Sequence, residues 1–149
     1  MKKNNFEAEY AEYQRIDSLY DAAEKAGDKE GERAAREEFQ TLRENLLAKG
    51  DEYFRTFELY REAKDRGNAY IDLNEVIWND KVAGLIENLR NLGIEHFTFS
   101  STWSSAVETA WLFKENGCEL EGLVQINSRY TSFRKNEYEK AAAYLFRVA

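Results

Sequence analysis

The chain contains no proline, one cysteine, one histidine and one methionine among its 149 residues. At ordinary usage a chain of this length would hold roughly seven prolines. Long helices disfavour proline, because its ring removes a backbone donor and clashes with the preceding turn. Central strands disfavour it because the ladder loses a donor. The absence therefore predicts long helices joined by short glycine turns. One cysteine excludes an intramolecular disulfide, and one histidine excludes most zinc sites and His-dependent catalytic designs. We expect no metal and no cofactor. No run approaches ~18 consecutive apolar residues, so no transmembrane helix is expected. Met1–Glu7 lacks the apolar region of a secretory signal, which points to a cytoplasmic protein.

What is present is charge and aromatic surface. The chain is 33% charged, 43% hydrophobic and 14% aromatic, with a formal net charge of -7. That aromatic load buries enough apolar area to offset the entropy of ordering the chain, which argues against disorder. Residues 1–67 hold 13 Lys+Arg against 17 Asp+Glu, whereas residues 68–149 hold 8 against 11. The first stretch reads as solvated helices and the second as a compact core. We therefore divide the chain into a helical hairpin, 1–67, and a small α/β sandwich, 68–149, which together form one structural unit.

The hairpin is written in apolar spacings of three and four. Phe6, Tyr10, Tyr13, Ile16, Leu19 or Tyr20, Ala23 and Ala26 form one stripe. Gly27-Asp28 then supplies a helix-ending glycine and an N-cap aspartate. A second stripe runs through Phe39, Leu42, Leu46, Tyr53, Phe57, Tyr60 and Ala63. Its phase persists across Gly50, since Phe39, Leu46, Tyr53 and Tyr60 are each seven apart. This predicts one helix from about 28 to 66, with Gly50 costing ~1 kcal/mol relative to alanine. The alternative ends a helix at Gly50 and begins another at Asp51.

After Gly67-Asn68 the period changes. Ala69–Leu73 reads as a strand, and Asn74 or Asn79 caps a helix carrying Val82, Leu85, Ile86, Leu89 and Leu92. His96–Ser100 alternates as a strand. Ser105 opens a helix with Val107, Ala110, Trp111 and Phe113. Leu120–Tyr130 reads as a strand bulged at Gly122, and Ala142–Val148 as the last strand, after a short helix. The expected fold is α+β: a long helical hairpin followed by a β-α-β-α-β-β sheet with both helices on one face.

Four groups of residues are candidates for chemistry. The segment Ser100, Ser101, Thr102, Trp103, Ser104 and Ser105 lies between a strand and a helix. Amides at a helix N-terminus and nearby hydroxyls suit an anion, and Trp103 offers a stacking surface. The plainer reading is a capping box, in which Glu108 reaches back to Ser105. The loop Arg129, Tyr130 … Arg134 combines basic and aromatic residues suited to an acidic partner or a nucleic-acid strand. Against it stands the chain's acidity, which argues against general nucleic-acid binding. His96 and Cys118 resemble a base and nucleophile only in composition, because nothing near Cys118 in sequence would lower its pKa. The pairs Glu119/Glu121 and Glu137/Glu139 are unspecific. In the hairpin, Asp21/Lys25, Glu32/Arg36 and Glu62/Arg66 are acid-before-base pairs that support solvated helices. The hairpin's aromatics, Tyr10, Tyr13, Tyr20, Phe39, Tyr53, Phe54, Phe57 and Tyr60, exceed what two helices need. They either pack on the sheet or meet a second copy of the chain.

Through Asn68–Asp72, Phe97–Glu108 and Gly117–Leu123, the chain resembles an uncharacterised family of small proteins. Its members occur on bacterial conjugative elements and prophages, largely from gut bacteria. The resemblance covers roughly residues 51–149, and the run FTFSSTWSSAVETAW is its most specific part. It implies a cytoplasmic accessory protein of a mobile element, acting in maintenance or against host defence, and it implies no catalytic residue. Together these readings describe a non-enzymatic protein that binds a protein partner and crosses no membrane. The alternative is a phosphate or nucleotide ligand at Ser100–Ser105.

Overall fold

The structure, a computed structural model, describes residues 4–74, 79–101, 104–131 and 137–149. Its elements run α1 (Phe6–Ala26), α2 (Lys29–Ala48), α3 (Asp51–Asp65), β1 (Ile71–Leu73), α4 (Val82–Asn91), β2 (His96–Phe99), α5 (Ala106–Glu115), β3 (Cys118–Thr131) and β4 (Tyr138–Val148). The α+β class and the order of helices before sheet are as expected. The described chain forms two compact units, Asn4–Phe57 and Glu58–Ala149, and the division falls within α3.

In the first unit, α1 buries Phe6, Ile16 and Ala23, and α2 buries Glu32, Ala35 and Leu46. Tyr20, rather than Leu19, is the half-buried residue of the ambiguous pair. Asp28 caps α2 as its sequence position implies, accepting from the Gly31 amide at 3.0 Å. The single helix expected over 28–66 is not formed. Lys49 and Gly50 donate to the carbonyls of Leu46 and Leu47, which closes α2 with short turns. Gly50 takes φ +118°, far from helical values and accessible only to glycine without strain. Its carbonyl then accepts from Phe54 and opens α3. The seven-residue phase belongs to the sequence alone and runs unaltered across this backbone break. Spacing counts residues and does not register direction.

The hairpin's aromatic surplus is largely consumed within this unit. Phe6 packs on Tyr53 and Phe57 at 5.1 and 6.0 Å, Tyr13 packs on Phe39 at 5.6 Å, and Tyr10 stacks on Tyr13. The Tyr53 hydroxyl donates to the Glu9 carboxylate, which also pairs with Lys49 at 3.1 Å.

In the second unit the sheet has the order β1-β2-β4-β3. β1 and β2 are parallel, with Ile71 opposite Phe97, so they need a crossover, which α4 supplies. β4 runs antiparallel to both of its neighbours. Ile71, Leu73, Phe97, Phe99 and Phe146 bury one sheet face beneath Val82, Ile86 and Leu89 of α4 and Phe113 of α5, so both helices share one side. Phe113 is the hub: its ring lies 5.1–5.2 Å from Phe97, Phe99 and Phe146. The N-terminus of α4 differs from expectation. Asn79 begins a 3-10 turn, Asn79–Lys81, and the N-cap is Lys81 with no side-chain cap bond.

The bulge expected in β3 is present: Leu120 registers with Phe146 and Gly122 with Leu145, leaving Glu121 extra. β4 is longer than the sequence suggested and begins at Tyr138. The short helix was expected between Tyr130 and Ala142; of that interval, residues 138–141 are strand and 132–136 lie outside the described residues.

Candidate functional site

Strand pleating sends Asp72 and Thr98, which are in register, to the sheet face opposite the helices. Asp72 is only 8% exposed. Its carboxylate accepts from the Thr98 hydroxyl at 2.7 Å and the Ser100 hydroxyl at 2.8 Å. Burial raises its pKa above the ordinary carboxylate value. The two hydroxyls and the charges of Arg66 and Arg129 offset this only in part. Sequence reading missed Asp72. The available signal was an acid between Ile71 and Leu73 in an apolar strand, a place where a charge needs partners.

This cluster changes the reading of the serine segment. Ser100 gives its hydroxyl to Asp72 and its amide to the Leu73 carbonyl at 3.1 Å. Ser101 is half-buried, and Ser104 is exposed in the turn before α5. Thr102 and Trp103 lie outside the described residues. The capping box is not formed, since Ser105 is the N-cap of α5 but makes no side-chain cap bond, and Glu108 is exposed. Instead the Thr109 hydroxyl sits 3.2 Å from the Ser105 carbonyl and 3.1 Å from Asn79 Oδ1. Arg129 and Tyr130 are exposed near the end of β3, and Arg134 lies outside the described residues.

Cys118 and His96 are not brought together as a nucleophile and base. Cys118 is buried, and burial pushes its thiol up to about 11, so it is protonated at neutral pH. β4 separates its strand from that of His96. His96 Nε2 lies 2.9 Å from Glu121 Oε1, and Arg147 pairs with Glu119. Glu62 and Arg66 form the expected i,i+4 pair at 3.2 Å. Among the described residues no three His, Cys, Asp or Glu side chains group as a metal site, and no helix is long and apolar enough to cross a membrane.

The least expected feature is apolar surface left open on α5 and β3. Val107 and Trp111 are 73% and 56% exposed, and Leu120 and Leu123 are 57% and 72% exposed. Their placement follows from α5's neighbours. Thr109 reaches Asn79, and the Asn116 carbonyl accepts from Arg90 of α4 at 3.0 Å, so α4 runs along that flank. Val107 and Trp111, four residues apart, occupy the opposite flank. There α5 continues through Gly117 into β3, on which it packs. Leu120 and Leu123 register with Phe146 and Tyr144, which pack in the helix-side core, so they lie on the same side of the sheet. Lys114 lies 5.4 Å over the Trp111 ring. Exposed Glu108, Glu115, Glu119 and Glu121 make these two elements acidic overall.

The chain belongs to the family described as Domain of unknown function (DUF7698), matched over residues 55–148. The match takes in almost the whole second unit and leaves α1 and α2 outside it. No curated protein and no solved structure matches the chain.

Proposed function

We propose that the protein acts non-enzymatically, by binding a protein partner on the side formed by α5 and β3. The observation that carries this reading is the exposure of Val107, Trp111, Leu120 and Leu123 together. Single exposed apolar residues are ordinary, whereas four on two neighbouring elements of one side of the sheet, a tryptophan among them and acids on the same elements, suit an interface. Trp111 is the natural anchor, because tryptophan carries large apolar area on a stiff side chain. The commitment of Ser100 to Asp72 favours this surface over a phosphate ligand at the serine segment, where a carboxylate would face the anion. A cytoplasmic setting and a role on a mobile element, including action against host defence, rest on the sequence resemblance.

Trp111→Ala tests the reading with little risk to the fold, since the ring is mostly outside the core. In crosslinking and co-purification from the source organism, a stoichiometric complex is expected with the wild type. The variant should lose it, weakening binding by about 2 kcal/mol or more. Equal recovery of the same partner by both proteins, with unchanged circular dichroism, would reject this surface.

A further inference from the structure

We infer that the partner is a second copy of this chain, which pairs its β3 edge antiparallel to β3 and lays its α5 beside α5. The inference rests on the α5–β3 reading above and names what binds there.

β3 is the last strand of the sheet, and β4 is its sole strand neighbour among the described residues. An antiparallel strand points the backbone groups of alternate residues away from its partner. The Asn127 amide donates to Asn68 Oδ1, and Asn68 Nδ2 donates to the Asn127 carbonyl, both at 2.9 Å. Asn127 therefore turns both backbone groups to the outer edge, where one side-chain amide already satisfies them. The β3–β4 register is unbroken from Gly122 to Asn127, so Leu123 and Gln125 turn their backbone groups outward as well.

This short window is its own complement. A two-fold axis at Val124 sets Leu123 opposite Gln125 of the second copy, and Gln125 opposite Leu123 of the second copy. Each such pair exchanges both its hydrogen bonds. An axis one residue on, at Gln125, would instead call on Asn127, whose groups Asn68 holds. With the axis at Val124, Asn127 meets the copy's bulge at Glu121–Gly122, where the strand bends and its ladder is interrupted.

The helix layer selects a copy over a lone peptide strand. The axis stands perpendicular to the sheet, so both α5 helices stay on one side of it. Val107 and Trp111 lie on the flank of α5 away from α4, and the two flanks turn toward each other above the joined edges. A lone strand would use the edge groups but bring no second layer over these side chains. A copy brings strand to strand and helix to helix at the same height. Charge permits the match. The whole chain carries a formal net charge of -7, but Arg147 and His96 hold Glu119 and Glu121. Glu108 and Glu115 then stand against Lys114 and Arg129 on α5 and β3, so these elements meet their own copies without net repulsion.

The register is tested by crosslinking the full chain. Val124 faces Val124 of the second copy as a non-hydrogen-bonded pair, with Cα atoms about 4.5 Å apart, within reach of a disulfide. Val124→Cys should therefore crosslink on mild oxidation. Gln125→Cys should not, since its two copies sit diagonally, beyond the limit of about 7 Å. Buried Cys118 should leave the wild type uncrosslinked. Sedimentation should give a dimeric wild type, and Trp111→Ala should weaken it at least about tenfold. Hydrogen exchange of the Leu123 and Gln125 amides should slow as protein concentration rises. Should Val124→Cys misfold, exchange in the wild type decides alone. Exchange unchanged by concentration, or Gln125→Cys crosslinking as fast as a folded Val124→Cys, would each overturn the inference. So would a dimer kept in Trp111→Ala but lost on changing exposed Leu19 of α1 to lysine, which belongs to the hairpin. A monomeric wild type that captures a different protein through Trp111 overturns the second copy while keeping the surface. A monomeric wild type that captures nothing overturns both readings.

Discussion

Asp72 shows how one residue sets local chemistry. Its carboxylate is buried with two hydroxyl donors, and burial still wins, so its pKa is raised. A carboxyl raised in the folded state favours folding when protonated. That contribution is full below the unfolded value and is lost as pH rises through the folded value. Asp72→Asn imitates the protonated form at every pH. Its amide oxygen accepts from one hydroxyl, and its nitrogen donates to the other. The variant should exceed the wild type by about 1 kcal/mol in urea unfolding at pH 7, and the difference should vanish near pH 3. A variant less stable than the wild type at pH 7 would show that the ionised form is the better-held one. Asp72 was legible only as an oddity in an apolar strand. Its partners are 26 and 28 residues away and no local pattern connects them.

At the scale of elements, glycine decides more than proline does. The missing prolines correctly indicate long helices, and the apolar stripes correctly mark Phe6, Ile16, Ala23 and Leu46 as buried but also include Val107 and Trp111, which are exposed. They fail at Gly50, where φ +118° breaks the run between α2 and α3. Gly50→Ala has open space for its methyl but not the backbone angle. It should therefore lower stability by about 1–3 kcal/mol in chemical denaturation. Were the turn dispensable, alanine would restore helical propensity and the protein would gain stability. The bulge at Gly122 was foreseeable, because an isolated glycine in a strand pattern marks such a site. The capping box was not formed despite its correct spelling; the local bonds there are those of the Thr109 hydroxyl, to the Ser105 carbonyl and to Asn79 Oδ1, a partner 30 residues away.

For the whole molecule, the family match and the two compact units divide the chain in nearly the same place, at 55 and at 58. The second unit carries the family match and the open apolar side. The first spends its aromatics internally, yet Leu19 of α1 and Leu47 of α2 are exposed. A dimer through the hairpin is accordingly a separate proposal. It predicts a dimeric mass by sedimentation at high protein concentration and a monomeric mass for Leu19→Lys. A monomeric wild type rejects it.

The sequence by itself determined the class, the placing of helices before sheet, the buried residues of the α1 and α2 stripes and the bulge, because these follow from spacings and backbone preferences within a few residues. Tertiary structure alone decided which strand became the edge, that Asn68 closes it at Asn127, that Asp72 holds Ser100, and that Val107, Trp111, Leu120 and Leu123 share one side. Each of these depends on where distant segments meet, and the physical reason is the same throughout. A buried charge or an open edge is defined by what lies across it, and that neighbour is set by packing rather than by adjacency in the chain.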